Sequence, residues 1–177
     1  MRYQDIPQYT DWGSYEVDVG WNYLETHLQH YLNDGQAKLD MDPDFQRAHV
    51  WDEEKQQRYV EYVLRGGHSG KSVFFNHTTW HNVLPNVAPW FVLVDGKQRL
   101  EAVRKYLRGE LAIFGGHYIK DFTDNIRIVR ASFRFHVNCL ATRAEVLQWY
   151  LDLNEGGVVH TREELDKVRM LLAAEKK

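Results

Sequence analysis

At 177 residues, 44% hydrophobic, 14% aromatic and 27% charged, the chain has the make-up of a globular protein with enough material for a real core. That composition is not the signature of a disordered chain, and no run approaches the roughly 20 apolar residues of a membrane span. A formal net charge of −3 argues against coating nucleic acid by bulk electrostatics, while leaving room for a local basic face.

Residues Tyr15 to Val19 alternate and predict a short strand. Trp21, Leu24, Leu28, Tyr31 and Leu32 recur at helical spacing until Asn33-Asp34-Gly35 stops the helix. Lys38 to Met41 predicts a brief strand leading into Asp42-Pro43-Asp44-Phe45-Gln46-Arg47. Asp52 is placed as the N-cap of a helix carrying Val60, Val63 and Leu64, with Gly66-Gly67 at its end. Ser72 to Asn76 predicts a strand, and the near-continuous apolar run Trp90 to Val94 predicts an interior strand covered on both faces. A helix from Gln98 to Arg108 follows, then strands at Leu111–Phe114 and Phe133–Val137. Two helices close the chain, each opened by a capping box: Thr142 with Glu145, and Thr161 with Glu164. The expectation is one α+β domain over residues 1–177, a mixed sheet with flanking helices.

The single cysteine, Cys139, cannot close an internal disulfide, and its bland surroundings predict a small core residue. With a polar N-terminus, Met1 to Thr10, that lacks the apolar centre of a signal peptide, the reading is a cytoplasmic protein with no membrane association. Nine histidines are scattered; His77 and His81 are four apart, but no third ligand is close, so a polar loop is favoured over a metal site.

The sharpest local feature is Val94-Asp95-Gly96-Lys97-Gln98-Arg99, a buried strand that turns on a glycine straight into a helix. The positive end of a helix is a natural anion site, and Arg99 presents a fork of donors matched to phosphate oxygens. Gln98 can bridge neighbouring groups, and Asp95 can orient water, hold a divalent ion or pair with an arginine. The plainer alternative is a tight strand-to-helix turn with Asp95 as cap and Arg99 in a surface ion pair. Asp44-Phe45-Gln46-Arg47 and Asn154-Glu155-Gly156-Gly157 with His160-Thr161 are further candidates, read otherwise as a solvated loop and a helix-ending turn. Arg65-Gly-Gly-His-Ser-Gly-Lys-Ser72 imitates a phosphate-binding loop, but its first glycine is missing and the helix precedes it, so it is read as a surface turn. Lys97, Arg104, Lys105 and Arg108, with Arg127, Arg130 and Arg134, make a weak candidate track for a nucleic-acid backbone, against the plainer reading of a solvated face.

Taken in order, Phe45-Gln46-Arg47 and Val94-Asp95-Gly96-Lys97-Gln98-Arg99-Leu100 resemble the paired F/Y-Q-R and D-G-Q-Q-R motifs of a ParB-like family. That family includes the N-terminal domain of GmrSD-type restriction enzymes. The resemblance continues through Phe75-Asn76, Phe114-Gly115, Val137-Asn138 and Trp149 to Gly157, ends at His160-Thr161, and so spans about residues 37–172. It implies a ParB/sulfiredoxin-like fold that binds or hydrolyses a nucleotide at residues 95–99, in phage DNA metabolism or phage–host conflict. Lys97 stands where glutamine is commoner, no cysteine supports sulfiredoxin chemistry, and no His-Asn-His nuclease segment is present.

Three functions are consistent with these residues. The leading one is an enzyme that binds a nucleoside triphosphate, with Mg2+, and hydrolyses it or transfers its phosphoryl group. In it Asp95 and Arg99 are catalytic, and Gln46, Arg47, Gly96, Lys97, Gln98, Asn154, Gly156, Gly157, His160 and Thr161 hold the nucleotide. The second is a non-catalytic module for a nucleotide or a DNA phosphate, and the third a stand-alone nuclease.

Overall fold

A run as apolar as Trp90 to Val94 has to be hidden on both sides, and the chain hides it inside a sheet. The computed structural model describes residues 2–6, 9–10, 13–33, 35, 37–46, 51–80, 86–126, 130–155 and 162–175. Strand β4 (Phe91–Asp95) lies between antiparallel β3 (Ser72–His77) and parallel β2 (Leu39–Asp40). Strand β5 (Ser132–Asn138) pairs parallel with β3, and β1 (Tyr15–Gly20) pairs antiparallel with β5 at the far edge. The order is β1-β5-β3-β4-β2, a mixed sheet in an α+β fold.

Side chains alternate across the sheet, so successive residues enter opposite layers. Val73, Phe75, Phe91, Leu93, Phe133 and Phe135 meet α1 (Leu24–Leu32), α2 (Glu53–Leu64) and α3 (Lys97–Leu107) on one face. Phe74, Val92 and Val94 meet α4 (Arg143–Glu155) and α5 (Arg162–Glu175) on the other. Each large apolar side chain hidden this completely contributes about 1.5–3 kcal/mol. Cover on the second face is uneven. The strand residues of its apolar cluster come from β3 and β4, whereas Glu16, Asp18 and Arg134 on β1 and β5 are about half exposed.

Local signals explain the helix ends. The Asp52 carboxylate accepts the Lys55 N–H at 2.8 Å, and Gly66 beyond α2 takes a positive φ of 88°. At α4 the capping box is present: Thr142 N–H donates to Glu145 Oε2 at 2.9 Å and Glu145 N–H to Thr142 Oγ at 3.2 Å. Thr161, the expected cap of α5, lies outside the described residues. Between β5 and α4, buried Asn76 holds the chain reciprocally, donating to Leu140 O at 3.1 Å and accepting from Leu140 N–H at 2.8 Å.

Three expectations are corrected. No strand forms at Leu111–Phe114. Leu111 and Ile113 are buried, but Phe114, Gly115 and Gly116 all take positive φ and fold the chain back, so Ile113 and His117 exchange both backbone hydrogen bonds at 2.8 Å. Cys139 is half-buried beside the Ser14 hydroxyl rather than in the core, because it lies just past the end of β5. His77 is the last residue of β3, buried and packed edge-on against Phe91, not part of a polar loop; His81 lies outside the described residues.

Candidate functional site

Strand β4 ends at Asp95, and the chain turns at once on Gly96, whose φ of +104° belongs to the left-handed region. A Cβ there would stand 3.1 Å from both methyls of Val73 and 3.2 Å from its Cα, so the close approach that Gly96 allows is to strand β3. The first intrahelical bond of α3 runs from Leu100 N–H to Gly96 O, which sets the positive end of the helix at this turn.

Across the first turn of α3, Arg99 donates through Nη2 to Asp95 Oδ2, one turn earlier on the same side. Neither is fully hidden: the Arg99 side chain is 21% exposed and that of Asp95 is 30% exposed. The Asp42 carboxylate is bonded by the Lys97 ammonium, which ties the loop after β2 to the same helix start. Buried Gln98 accepts the Trp51 N–H at 3.1 Å through Oε1 and fastens the entry to α2.

The loop at Gln46 is pinned over this end of the sheet. Gln46 Nε2 donates to Leu93 O on β4, and Phe45 packs edge-on against Tyr150 of α4 at 5.3 Å. Asp44 accepts from Arg143 Nη2 at 2.9 Å, and its carbonyl accepts from Lys167 Nζ at 2.9 Å. Asn154, one turn beyond Tyr150, is buried with its amide donating to Tyr150 O at 2.7 Å. Arg47, Gly156, Gly157, His160 and Thr161 lie outside the described residues. Gln46 thus reaches β4 two residues before Asp95, and Asn154 lies on α4, which packs against that strand.

Besides Asp42, two contributors were not anticipated. The loop read as a surface turn brings Gly70 against Arg99: a Cβ on Gly70 would lie 3.9 Å from Arg99 Cδ. Tyr59 of α2 donates its hydroxyl to Gly70 O at 2.7 Å and fixes that loop. Burial pushes the Tyr59 phenol above its ordinary range, while the nearby Arg99 charge opposes the rise. Its only sequence signal was the helical phase of α2, which places Tyr59 one position before the core residue Val60.

Three arginines of the candidate basic track are paired with carboxylates, while Arg130 is exposed. Arg104 pairs with Glu25 at 2.7 Å, Arg108 with Glu101 at 3.0 Å and Glu110 at 2.9 Å, and Arg134 with Asp18 at 2.8 Å. Lys105 sits half-buried between the first two on α3, and Arg127 lies outside the described residues. Among the described residues no three His, Cys, Asp or Glu come together as a metal cage, and no helix is long and apolar enough to cross a membrane.

Comparison with known families adds one finding: the family model described as the N-terminal domain of GmrSD restriction endonuclease matches residues 28–138. That stretch contains β3, β4, the Asp95–Arg99 turn and β5. No curated protein and no solved structure matches the chain.

Proposed function

Because the chain belongs to the family of GmrSD restriction endonuclease N-terminal domains, we propose that it binds a nucleoside triphosphate at the start of α3. There it hydrolyses the triphosphate or transfers its phosphoryl group, within a restriction-type response to phage DNA. The observation that carries this reading is the partly exposed Arg99–Asp95 pair at a helix N-terminus, at the end of an interior strand. An incoming phosphate replaces Asp95 as the partner of Arg99, and the positive end of α3 favours the same anion. Neighbouring Lys97 exchanges exposed Asp42 for a second phosphate oxygen.

Released from Arg99, Asp95 would be the residue to orient the attacking water or to hold a magnesium ion accompanying the triphosphate. Magnesium typically takes one or two carboxylates and completes its shell with phosphate oxygens and water, which a single aspartate suits. Such an ion would supply charge neutralisation on the transferring phosphoryl group. Arg99 supplies the protein's own share of it.

The test is a thermal-shift panel of nucleoside triphosphates with and without magnesium, followed by a phosphate-release assay. A stabilisation that grows with nucleotide concentration, as binding to the native state requires, together with phosphate release, is the expected result. Failure of every triphosphate to shift the transition overturns the assignment. Binding without release leaves the second reading, a sensor module in which Asp95 serves only to hold Arg99 ready.

A further inference from the structure

On the less covered face of the sheet, three neighbouring strands bring a glutamate, a histidine and a serine into one hydrogen-bonded line. His136 of β5 lies directly opposite Glu16 of β1, and its Nδ1 is 3.1 Å from Glu16 Oε1. Its Nε2 is 3.2 Å from the hydroxyl of Ser72, the first residue of β3, which stands opposite Arg134 two positions away. The imidazole is only 5% exposed and is stacked on the Phe74 ring at 4.6 Å; Phe74 is backed edge-on by Trp149. Glu16 and Ser72, at the two ends of the line, are reachable from solvent.

Chemistry fixes the proton positions. A carboxylate can only accept, so Nδ1 carries the hydrogen and Nε2 is the acceptor for the serine hydroxyl. That is the arrangement in which an oriented neutral imidazole can take a proton from a serine.

We propose that Ser72 is a nucleophile with His136 as its general base and Glu16 as the positioning residue, forming a second active site that hydrolyses small carboxylic esters. Ser72 Oγ attacks the carbonyl carbon while His136 Nε2 takes the hydroxyl proton. The bond to the alcohol oxygen then breaks, and His136 returns that proton to the departing alcohol. Water repeats the sequence on the acyl-serine: its proton goes to His136, its oxygen to the acyl carbon, and Ser72 recovers its hydrogen. Ester and water become acid and alcohol, with no other reactant. Arg134, across the ladder from Ser72, is held in place by the Asp18 carboxylate, and Lys71 directly precedes Ser72 in the chain.

The charged groups facing His136 are Glu16 and Asp18 from β1, which raise its pKa, and Arg134 from β5, which lowers it. Ser72 and Phe74 of β3 face it as neutral groups. Burial outweighs these and holds the imidazole below its ordinary value, neutral and able to accept a proton at pH 7.

The experiment treats the full chain with a fluorophosphonate probe and locates the adduct by peptide mass, alongside hydrolysis of p-nitrophenyl acetate. Labelling of Ser72 is expected. Ser72→Ala abolishes labelling and hydrolysis, and His136→Gln lowers both by about 10²- to 10⁴-fold. Glu16→Gln, a change at a half-exposed edge position, slows hydrolysis and moves the acid limb of its pH profile to lower pH, which a purely structural role does not do. No adduct on Ser72 in folded protein, equal labelling in His136→Gln, or an unmoved acid limb in Glu16→Gln overturns the proposal. Triphosphate binding at Arg99 is expected to survive Ser72→Ala, so the two sites stand or fall separately.

Discussion

Gly96 answers two constraints at once, a left-handed backbone and contact with Val73 closer than most Cβ atoms make. Gly96→Ala is therefore expected to lower stability by about 1–3 kcal/mol, measured by denaturant unfolding. Unchanged stability would mean that β3 and α3 can part at no cost. Cys139 belongs to neither site, and Cys139→Ser is expected to leave triphosphate turnover intact; a folded but inactive variant would contradict that. At this scale the sequence was legible where chemistry is contiguous. Asp95 to Arg99 could be read because five neighbours carry the turn, the pair and the helix start. Asp42, Tyr59 and Gly70 could not, since each reaches α3 only through tertiary packing. Ser72, His136 and Glu16 were less legible still, because only strand register brings them together.

Elements were legible where a periodic face and a cap agree. α2 has both, and α4, buried on most sides, was placed by its capping box. Asp52→Ala is expected to cost about 1 kcal/mol by orphaning the Lys55 N–H, seen as a lower Tm with the fold retained. No change would show that this cap is replaced by solvent. Leu111 to Phe114 failed for a physical reason: alternating burial marks a strand only if the chain stays extended, and Phe114-Gly115-Gly116 does not let it. On the basic face of α3 the pairing is likewise a tertiary matter. Spacing places Arg104 and Arg108 side by side, but only the fold shows Glu25 arriving from α1 and Glu110 from the following loop to neutralise them.

For the whole molecule, two histidines link stability to pH. Burial holds His27, between Tyr31 and Phe135, and His136 below the ordinary imidazole value. Above about pH 6.5 both are neutral whether the chain is folded or not, and their preference for the neutral form costs nothing. As pH falls below that, the unfolded chain binds protons that the folded chain refuses, so stability is lost progressively until the lowered folded values are passed. Tm is expected to fall between pH 7.5 and 5.5, and less so in His27→Gln; a flat profile would contradict the buried placement.

The central claim is that Arg99, not the wider basic surface, holds the phosphates. Calorimetric titration of ATP and GTP, each with magnesium, into the unaltered chain and Arg99→Ala tests it most directly. Loss of one charge-assisted contact is expected to weaken binding by about 10- to 100-fold, with the nucleotide-free protein still folded and Lys97→Gln less affected. Equal affinity in the unaltered chain and Arg99→Ala would place the nucleotide elsewhere.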